Sequence, residues 1–317
     1  MKAIILDQFG GPEVLQVRDM PLPEPGPGEV RIAVYAAGVN PVDAKVRQGA
    51  LYNRPQGQVK HTLPLILGWD AAGIIDAVGA YTSHFSVGEA VFVRPDIRHN
   101  GAYAEYLVVE ENLVAPMPSN LSFVEAASLP LVGLTAWQAL LEAGGLQEGW
   151  KVFIHGGSGG VGSLAIQLAK SYGAWVSTNA SRSNLDFVRS LGADEALDYA
   201  TEEESAYHGS FDLVLDTRGG EAGRNSYQML RPGGILVSLI SKPDEQLMEK
   251  FEVQAHYVFM QPNGEQLAAI GRLAEQGLIR PQVSQVLPLE QAQKAHEQIE
   301  TGHTRGKIVL QVREDRN

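Results

Sequence analysis

The sequence predicts an α/β protein in which a β-rich domain is followed by a doubly wound parallel-sheet domain. Its first 120 residues consist of short alternating runs separated by Gly, Pro and Asn, a texture typical of β domains. From residue 151 onward, strand-like and helix-like segments alternate, which indicates a parallel sheet with helical crossovers. The length of 317 residues is sufficient for two ordinary domain cores.

The first domain is predicted to contain short strands whose side chains alternate between apolar and polar. This period-two pattern covers residues 30–36, 73–78, 90–93 and 104–109. Turn formers separate the runs, including Pro-Gly-Pro-Gly at residues 25–28. Strands at this spacing indicate a compact barrel or sandwich.

The pattern changes near Ser122, where helical spacing begins and continues through residues 123–144, interrupted by Pro130 and Gly133. Beyond it the strands and helices alternate regularly, which implies right-handed crossovers in a doubly wound sheet. We predict strands at residues 151–155, 175–180, 195–199, 211–216 and 234–240, and helices at residues 161–172, 184–191 and 223–230.

Two more helical stretches, at residues 264–276 and 289–301, precede a last predicted strand at residues 307–312. The strands of the parallel sheet are already accounted for at that point. We therefore expect the last strand to return to the first domain.

Composition narrows the function classes. With 25 Lys and Arg against 37 Asp and Glu, the formal net charge is −12, which repels phosphate backbones and anionic lipid. The chain has no cysteine, and this excludes disulfides, thiol nucleophiles, iron–sulfur clusters and cysteine-based zinc sites. The apolar run at residues 3–6 is too short for a signal peptide, so none is expected. The longest apolar stretch, residues 63–80, contains Asp70 and Asp76, so it is not expected to cross a membrane. We expect a cytoplasmic protein without nucleic-acid or membrane partners.

The strongest motif is the glycine-rich turn His-Gly-Gly-Ser-Gly-Gly-Val-Gly at residues 155–162. It lies between a predicted strand and an amphipathic helix, the context in which such a turn binds the pyrophosphate of a dinucleotide. The free amides of a helix N-terminus then face the negative charge. A merely flexible loop is the alternative, and the flanking strand and helix favour dinucleotide binding. The expected contacts are Gly157, Ser158, Gly159, Gly160, Val161 and Gly162.

The end of the second predicted strand indicates which dinucleotide binds. An NAD site has an acidic residue about 20 positions after the turn, but residues 178–183 contain none, and Asp186 lies inside the next helix. Arg182 with Ser181 is suited to a 2′-phosphate, because a guanidinium matches phosphate geometry. The alternative is that Arg182 is a solvated residue at a helix start. The absence of a carboxylate in residues 178–183 and the presence of Arg182 together predict that the cofactor is NADPH.

These residues resemble the medium-chain dehydrogenase/reductase superfamily, in its zinc-free quinone oxidoreductase branch. The resemblance runs nearly end to end, and the motifs occur in order. They are Ala-Gly-Val-Asn-Pro-Val-Asp at residues 37–43, Leu-Gly-Trp-Asp-Ala-Ala-Gly at 67–73, Gly-Ala-Tyr-Ala-Glu-Tyr at 101–106, Leu-Pro at 129–130, Gly-Leu-Thr-Ala at 133–136, the glycine turn, Leu-Gly-Ala-Asp at 191–194, Arg-Pro-Gly-Gly at 231–234 and Gly-Lys-Ile-Val-Leu at 306–310.

The resemblance implies a chaperonin-10-like (GroES-like) catalytic domain of residues 1–122 and 262–317, around a Rossmann cofactor-binding domain of residues 123–261. It places the nicotinamide in a cleft between them. Zinc-dependent relatives have a cysteine where this chain has Asn40 and a histidine at Trp69, together with a four-cysteine lobe. The zinc ligands that an alkoxide mechanism requires are therefore missing from these positions. For Asp70 we expect a structural carboxylate that accepts hydrogen bonds rather than a metal ligand.

The resemblance also assigns two residues to the reaction. Asn40 lies beside the nicotinamide, where its amide orients a carboxamide or a substrate carbonyl. Turn chemistry before Pro41 explains the same residue equally well. Tyr52 matches a tyrosine near the quinone, where a phenol donates to a developing oxyanion. A half-buried aromatic covering a loop is its alternative.

Further cofactor contacts follow from the same resemblance. Thr135 approaches the nicotinamide, and Tyr199 stacks near the 2′-phosphate or donates to it. Leu239 and Ser241 lie where a doubly wound sheet holds its ligand. Lys307 reaches a phosphate or the substrate mouth, or else is a solvated surface lysine.

We therefore predict an NADPH-dependent, zinc-independent oxidoreductase that transfers hydride to a quinone or an α,β-unsaturated carbonyl. One alternative is an NADPH-binding protein with little turnover and a regulatory or RNA-binding role, against which the net charge argues. A weaker alternative is an enoyl-thioester reductase. A homodimer is expected by analogy, because relatives pair two sheets through the strand that here lies around residues 253–259.

Overall fold

The computed structural model describes residues 1–50, 61–201 and 207–314. Two units divide the chain. The first contains Met1–Leu131, Gln261–Gln276 and the chain from Pro281 onward, and the second contains Val132–Met260 and Gly277–Arg280. The chain leaves the first unit several residues after the change of pattern near Ser122, because the helix that follows Ser122 packs on strands of the first unit.

Among the described residues, the regular secondary structure in the amino-terminal part of the first unit is mostly strand. Its strands are β1 (Lys2–Leu6), β2 (Leu15–Asp19), β3 (Glu29–Val39), β4 (Leu65–Ile66), β5 (Ala71–Val78), β6 (Ala90–Val93), β7 (Tyr106–Glu110) and β8 (Val114–Pro116). Its helices are α1 (Pro41–Arg47) and α2 (Phe123–Ala127). A capping box at Ser122 and Glu125 starts α2, since the Ser122 Oγ accepts the Glu125 amide and the Glu125 carboxylate accepts the Ser122 amide.

The second unit alternates helix and strand. After α3 (Pro130–Trp137) and a π-helical segment (Gln138–Ala143) come β9 (Lys151–Ile154), α4 (Gly160–Ser171), β10 (Trp175–Ala180), α5 (Leu185–Ser190), β11 (Glu195–Asp198), β12 (Phe211–Asp216), α6 (Gly220–Met229), β13 (Leu230–Ser238), α7 (Glu245–Phe251) and β14 (Gln254–Tyr257). The chain then forms α8 (Gly264–Glu275), β15 (Val283–Pro288), α9 (Ala292–Glu300) and β16 (Lys307–Gln311) in the first unit.

The sheet of the second unit has the strand order β11-β10-β9-β12-β13-β14, and each pair is parallel. This is the doubly wound Rossmann order, in which chain direction along the sheet reverses next to β9. The predicted fold class is therefore confirmed. The reversal places the turn after β9 at the edge where such sheets bind ligands.

The described residues of the first unit form two sheets. One has the order β2-β1-β4, and the larger has the order β15-β16-β3-β5-β6-β8, with β7 also paired to β3. Strand β16 pairs antiparallel with β3, so that Ile308 lies opposite Val39. The expected return of the last strand is confirmed. Its side chains Ile308 and Leu310 belong to a single buried core with Trp69 and Tyr103.

Seven of the elements given above were not predicted: the helices α1 and α7 and the strands β1, β2, β4, β8 and β15. Helix α1 is short and follows a strand directly, and β15 alternates between exposed and half-buried residues until its end. The predicted helix at residues 223–230 begins earlier, at Gly220, and ends one residue earlier, at Met229, because β13 begins at Leu230. Within the described ranges, no helix is long and apolar enough to cross a membrane.

Candidate functional site

The glycine-rich turn joins β9 to α4, and the space around its glycines differs from one position to the next. A Cβ on Gly162 would lie 2.2 Å from the Gly156 oxygen, and one on Gly157 would lie 2.2 Å from Thr178 Oγ1. These two glycines let helix and strand pack on the turn. A Cβ on Gly159 would meet nothing nearer than the Gly156 oxygen at 3.4 Å. That face is open, as close approach of a ligand to the backbone requires.

Helix α4 begins without a side-chain cap. Its N-cap residue is Gly159, which has no side chain, so the first amides of the helix, including Gly160 and Val161, have no capping partner. Gly156 has a φ of +67°, a left-handed conformation that glycine adopts without cost and that turns the chain toward the helix. A twelve-residue helix with uncapped amides and an open face suits a diphosphate.

Ser181 and Arg182 follow β10, at the same edge of the sheet as the turn. The Ser181 hydroxyl accepts a hydrogen bond from Asn184 Nδ2 at 2.9 Å, which forms a short turn. Arg182 is exposed and begins a 3-10 turn, and no ion pair to it is found within the described part of the chain. An exposed guanidinium at this position is available to a ligand phosphate.

Tyr199 lies just after β11 and is 45% exposed. Its amide donates to the Ala180 oxygen at the end of β10, at 3.3 Å. The Arg218 guanidinium lies over its ring, 5.3 Å from the centroid. Arg218 was not predicted as a site residue, although its place two residues after β12 indicates it, because ligands bind beyond the carboxyl ends of the strands.

Leu239 and Ser241 follow β13 at this edge too. The Leu239 amide donates to the Asp216 oxygen at 2.9 Å, and the Ser241 amide donates to Ser238 Oγ at 3.0 Å. Ser241 lines a cavity of about 240 Å³ together with Arg224, Lys242 and His256. Thr135 lies inside α3 and is 6% exposed.

In the first unit, Asn40 joins β3 to α1 and is 1% exposed. Its backbone amide donates to Asp43 Oδ2 at 2.9 Å, and its side-chain Nδ2 donates to Asp70 Oδ2 at 2.7 Å. Its Oδ1 accepts a hydrogen bond from the Lys307 ammonium. Asn40 therefore starts a helix and joins a buried network, which supports the turn-chemistry alternative. A role beside a substrate stays a prediction.

The expectation for Lys307 needs correction. Neither a cofactor phosphate nor bulk solvent is its partner, because the side chain is buried and its ammonium donates to Val39 O, Asn40 Oδ1 and Asp70 Oδ2. These three bonds use all three ammonium protons. Burial lowers the pKa of Lys307, which Asp70 and Asp43 counteract.

Asp70 is fully buried and accepts hydrogen bonds, as expected. The Leu131 amide donates to its Oδ1 at 2.8 Å, and Asn40 and Lys307 occupy Oδ2. Nearby, Asp43 accepts the Tyr103 hydroxyl at 2.9 Å. Burial raises the pKa of Asp43 to about 7, although Arg94 acts in the opposite direction. Asp43, Asp70 and Lys307 thus form a buried polar cluster that holds Asn40, the residue between β3 and α1.

The second residue assigned to the reaction, Tyr52, lies outside the described residues.

Two family models match the chain. The alcohol dehydrogenase GroES-like domain matches residues 26–119, and the zinc-binding dehydrogenase domain matches residues 191–310. The first match lies within the first unit, whereas the second match begins inside the second unit and continues into the carboxy-terminal segments of the first.

Similar proteins extend over nearly the whole chain. The NAD(P)H oxidoreductase RTN4IP1, mitochondrial, of Danio rerio is 34% identical over 99% of this chain and 92% of the relative. The NADPH-dependent alkenal/one oxidoreductase, chloroplastic, of Arabidopsis thaliana is 34% identical over 98% of this chain and 79% of the relative. The structure of the quinone oxidoreductase from Coxiella burnetii is 38% identical, with a TM-score of 0.90 over 99% of each chain.

The zinc named by one family model does not fit the residues present. The sequence has no cysteine, and no group of three His, Asp or Glu side chains in the described ranges is arranged to hold a metal. At the buried Asp70 carboxylate, the cation present is the Lys307 ammonium, 3.2 Å from Asp70 Oδ2. The nicotinamide dinucleotide, by contrast, fits the glycine turn, whose open face and uncapped amides match a diphosphate.

Proposed function

Because this chain belongs to the quinone oxidoreductase branch of the medium-chain dehydrogenase/reductase superfamily, we propose that it transfers hydride from NADPH to a quinone or an α,β-unsaturated carbonyl. Membership rests on relatives more than 30% identical over nearly its whole length. The chain is accordingly an oxidoreductase. One observation carries the proposal for the cofactor: the uncapped, open turn at Gly159, on the ligand-binding edge of the second unit's sheet.

NADPH, rather than NADH, is favoured by the charges at that edge. Arg182 is exposed and Arg218 lies over Tyr199, whereas residues 178–183 contain no carboxylate that would accept from a ribose hydroxyl. Two guanidinium groups favour the additional phosphate. The Arabidopsis relative carries NADPH dependence in its name.

The protein's part in the reaction is to bind and orient. When bound, NADPH supplies the hydride, and the acceptor takes up one proton to complete the two-electron reduction of an enone. The turn amides hold the diphosphate, and Leu239 and Ser241 follow the strand end where the rest of the dinucleotide extends. We propose that the proton comes from water and that Tyr52 or Asn40 polarises the acceptor. One- and two-electron reduction of a quinone both fit these residues.

We further propose that the reaction needs no zinc. The donor chemistry supports this, because the cluster around Asn40 holds its negative charge with Lys307 and Arg94 rather than with a metal.

The experiment uses purified full-length protein with NADPH or NADH and a panel of acceptors. Oxidation of NADPH by a quinone or a 2-alkenal, with NADH slower and a saturated aldehyde inert, is expected. Metal content below one tenth of an equivalent and full activity after chelation are expected as well. Tight NADPH binding without turnover on any acceptor would support a binding role instead. Turnover only with an enoyl thioester would support a thioester reductase.

A homodimer formed through β14 is proposed. This strand ends the sheet of the second unit, and Gln254 and His256 are exposed on it. An unpaired strand edge offers N–H and C=O groups to a second copy of the chain. Light scattering at micromolar concentration is expected to give twice the 34.2 kDa chain mass, and a monomer would contradict the proposal.

A cytoplasmic location stays a proposal. Relatives are named mitochondrial and chloroplastic, so the family is found in more than one compartment. Fractionation of the source cells is expected to recover the protein in the cytosol, and recovery in an organelle would contradict this.

A further inference from the structure

A chain of buried polar side chains lies beneath the glycine turn. Ser226 on α6, His155 at the end of β9 and Asn179 on β10 are each 2% exposed or less. His155 Nε2 lies 2.9 Å from Ser226 Oγ, and His155 Nδ1 lies 3.2 Å from Asn179 Nδ2. Asn179 Oδ1 accepts the Gly156 amide at 2.7 Å. These hydrogen bonds thus connect helix α6 to the backbone amide of Gly156 in the turn.

The Gly156 backbone amide determines which atom donates in each hydrogen bond of this side-chain network. A backbone amide can only donate, so the Asn179 atom that faces Gly156 is the carbonyl oxygen. The amide nitrogen of Asn179 then faces the imidazole, and His155 Nδ1 must accept from it. In a neutral ring the proton is consequently on Nε2, which donates to Ser226 Oγ. The Ser226 hydroxyl in turn donates to the Ala222 oxygen at 2.9 Å.

Asn179 holds two consecutive amides of the turn. Its side chain accepts Gly156 N–H, and its backbone oxygen accepts Gly157 N–H at 3.0 Å. On the other side, Thr217 Oγ1 donates to the His155 oxygen at 2.7 Å. Hydrogen bonds from β10 and from Thr217 therefore hold the backbone of residues 155–157, where the turn begins. The amides further along, at Gly160 and Val161, are left to face a ligand.

We propose that His155 and Asn179 are positioning residues for the cofactor diphosphate. A neutral His155 protonated on Nε2 orients the Asn179 amide, and that amide aligns Gly156 and the turn. Neither side chain touches the cofactor in this account. The inference rests on the proposed NADPH site, and it adds the residues that hold that site in its binding geometry.

A purely structural role for these side chains makes a different prediction. If they only stabilise the core, substitution lowers thermal stability and leaves the affinity of the folded protein for NADPH unchanged. If they position the turn, their substitution weakens NADPH binding more than the loss of an equally buried hydrogen bond elsewhere on the same strand. Ser177 supplies the match, since it is buried on the same strand and its hydroxyl donates to Glu195 Oε2 at 3.1 Å, away from the turn.

The first experiment measures NADPH binding by calorimetry on the full chain and its variants, below their melting temperatures. Asn179→Leu is expected to bind NADPH about 5-fold more weakly, the effect of one net hydrogen bond. Ser177→Ala is expected to lower the melting temperature but to bind like the wild type. Equal affinity of Asn179→Leu and wild type would overturn the proposal.

The second experiment is carried out without NADPH, so it does not depend on whether a variant binds the cofactor. Nitrogen NMR of protein labelled at histidine reports which ring nitrogen carries the proton. His155 is expected to be protonated on Nε2 alone. In Asn179→Asp, a carboxylate oxygen faces Nδ1, and a proton on Nδ1 is expected. A proton on Nδ1 in the wild type, or an unprotonated Nδ1 in Asn179→Asp, would contradict the inference.

The two failures are distinguishable. If wild-type protein does not bind NADPH, the proposed function fails whichever tautomer is found. If wild-type protein binds NADPH and the tautomer or the variant affinity departs from expectation, only the positioning role fails.

Discussion

The Lys307 ammonium lies 3.2 Å from Asp70 Oδ2, and the two side chains are 5% and 0% exposed. Lys307 is the first residue of β16, near the end of the chain, and Asp70 immediately precedes β5. The pair therefore links the start of β16 to the start of β5, two strands of the larger sheet that are separated by β3. Asn40 bonds to both groups, so the start of α1 depends on the same pair.

Lys307→Met is expected to destabilise the protein by about 3–5 kcal/mol, because it leaves the Asp70 carboxylate buried without its cation. The measurement is urea unfolding at neutral pH. The double variant Lys307→Met with Asp70→Asn is expected to recover part of the loss, since it buries no unpaired charge. If the single variant loses less than about 1 kcal/mol, the pair does not have the predicted structural role.

His296 predicts a pH dependence. It is fully buried on α9, and neither ring nitrogen has a hydrogen-bond partner among the described residues. Burial, with a smaller effect of Arg47, lowers the pKa of His296 from 6.5 to about 3. Between these values the unfolded chain binds more protons than the folded protein. Stability therefore decreases as pH falls below 6.5.

His296→Leu is expected to reduce this acid loss by about 2 kcal/mol at pH 5, measured by urea unfolding from pH 4.5 to 7.5. The exposed His303 provides the control, and His303→Leu is expected to keep the wild-type slope. An unchanged slope in His296→Leu would show that the buried imidazole does not cause the loss.

Substitutions at two glycines of the turn, Gly159 and Gly162, are predicted to affect cofactor binding and folding stability differently. Ala at Gly159 meets only ordinary contact at 3.4 Å and keeps an allowed φ of −78°, so Gly159→Ala should melt like wild type. Its methyl group occupies the open face, and NADPH affinity is expected to fall about tenfold, or ~1.4 kcal/mol.

Gly162→Ala is expected to behave differently, because its Cβ would lie 2.2 Å from the Gly156 oxygen. Displacement of the turn should cost about 1–3 kcal/mol of stability, with weakened binding as well. Calorimetric binding and thermal unfolding on both variants test the contrast. Equal melting temperatures for the two variants would contradict it.

Arg182→Ala is expected to weaken NADPH binding by about tenfold or more and to leave NADH binding unchanged, since a charge-assisted bond to the 2′-phosphate is lost. Arg189→Ala is the control, because Arg189 is exposed on the following helix and pairs with Asp186 at 3.2 Å. Equal loss for both coenzymes would place Arg182 away from the 2′-phosphate.

The sequence predicted the second unit well because its signals are local. A strand, a glycine turn and an amphipathic helix in succession identify β9 to α4, and period changes locate most of the other strands. The helix α1 was missed because its seven residues between a strand and a loop carry no repeated apolar spacing. β15 was missed because a mostly exposed strand resembles a loop in composition.

The site was predictable where backbone geometry requires particular residues, and less so where side chains meet across the fold. At Gly157 and Gly162 a side chain would collide with neighbouring atoms, and Gly156 has a positive φ. Lys307 was misplaced because nothing near it in sequence indicates Asn40 and Asp70 as partners, more than 230 positions away. Asn179 was overlooked because its hydrogen bonds join β10 to another strand's turn, a contact that only the strand order reveals.

The most direct test of this account is calorimetric titration of the full-length protein with NADPH and, separately, with NADH. The account predicts saturable binding of NADPH near micromolar concentration and weaker binding of NADH, with both lost or reduced in Gly159→Ala. Absence of binding by either coenzyme at millimolar concentration would contradict it.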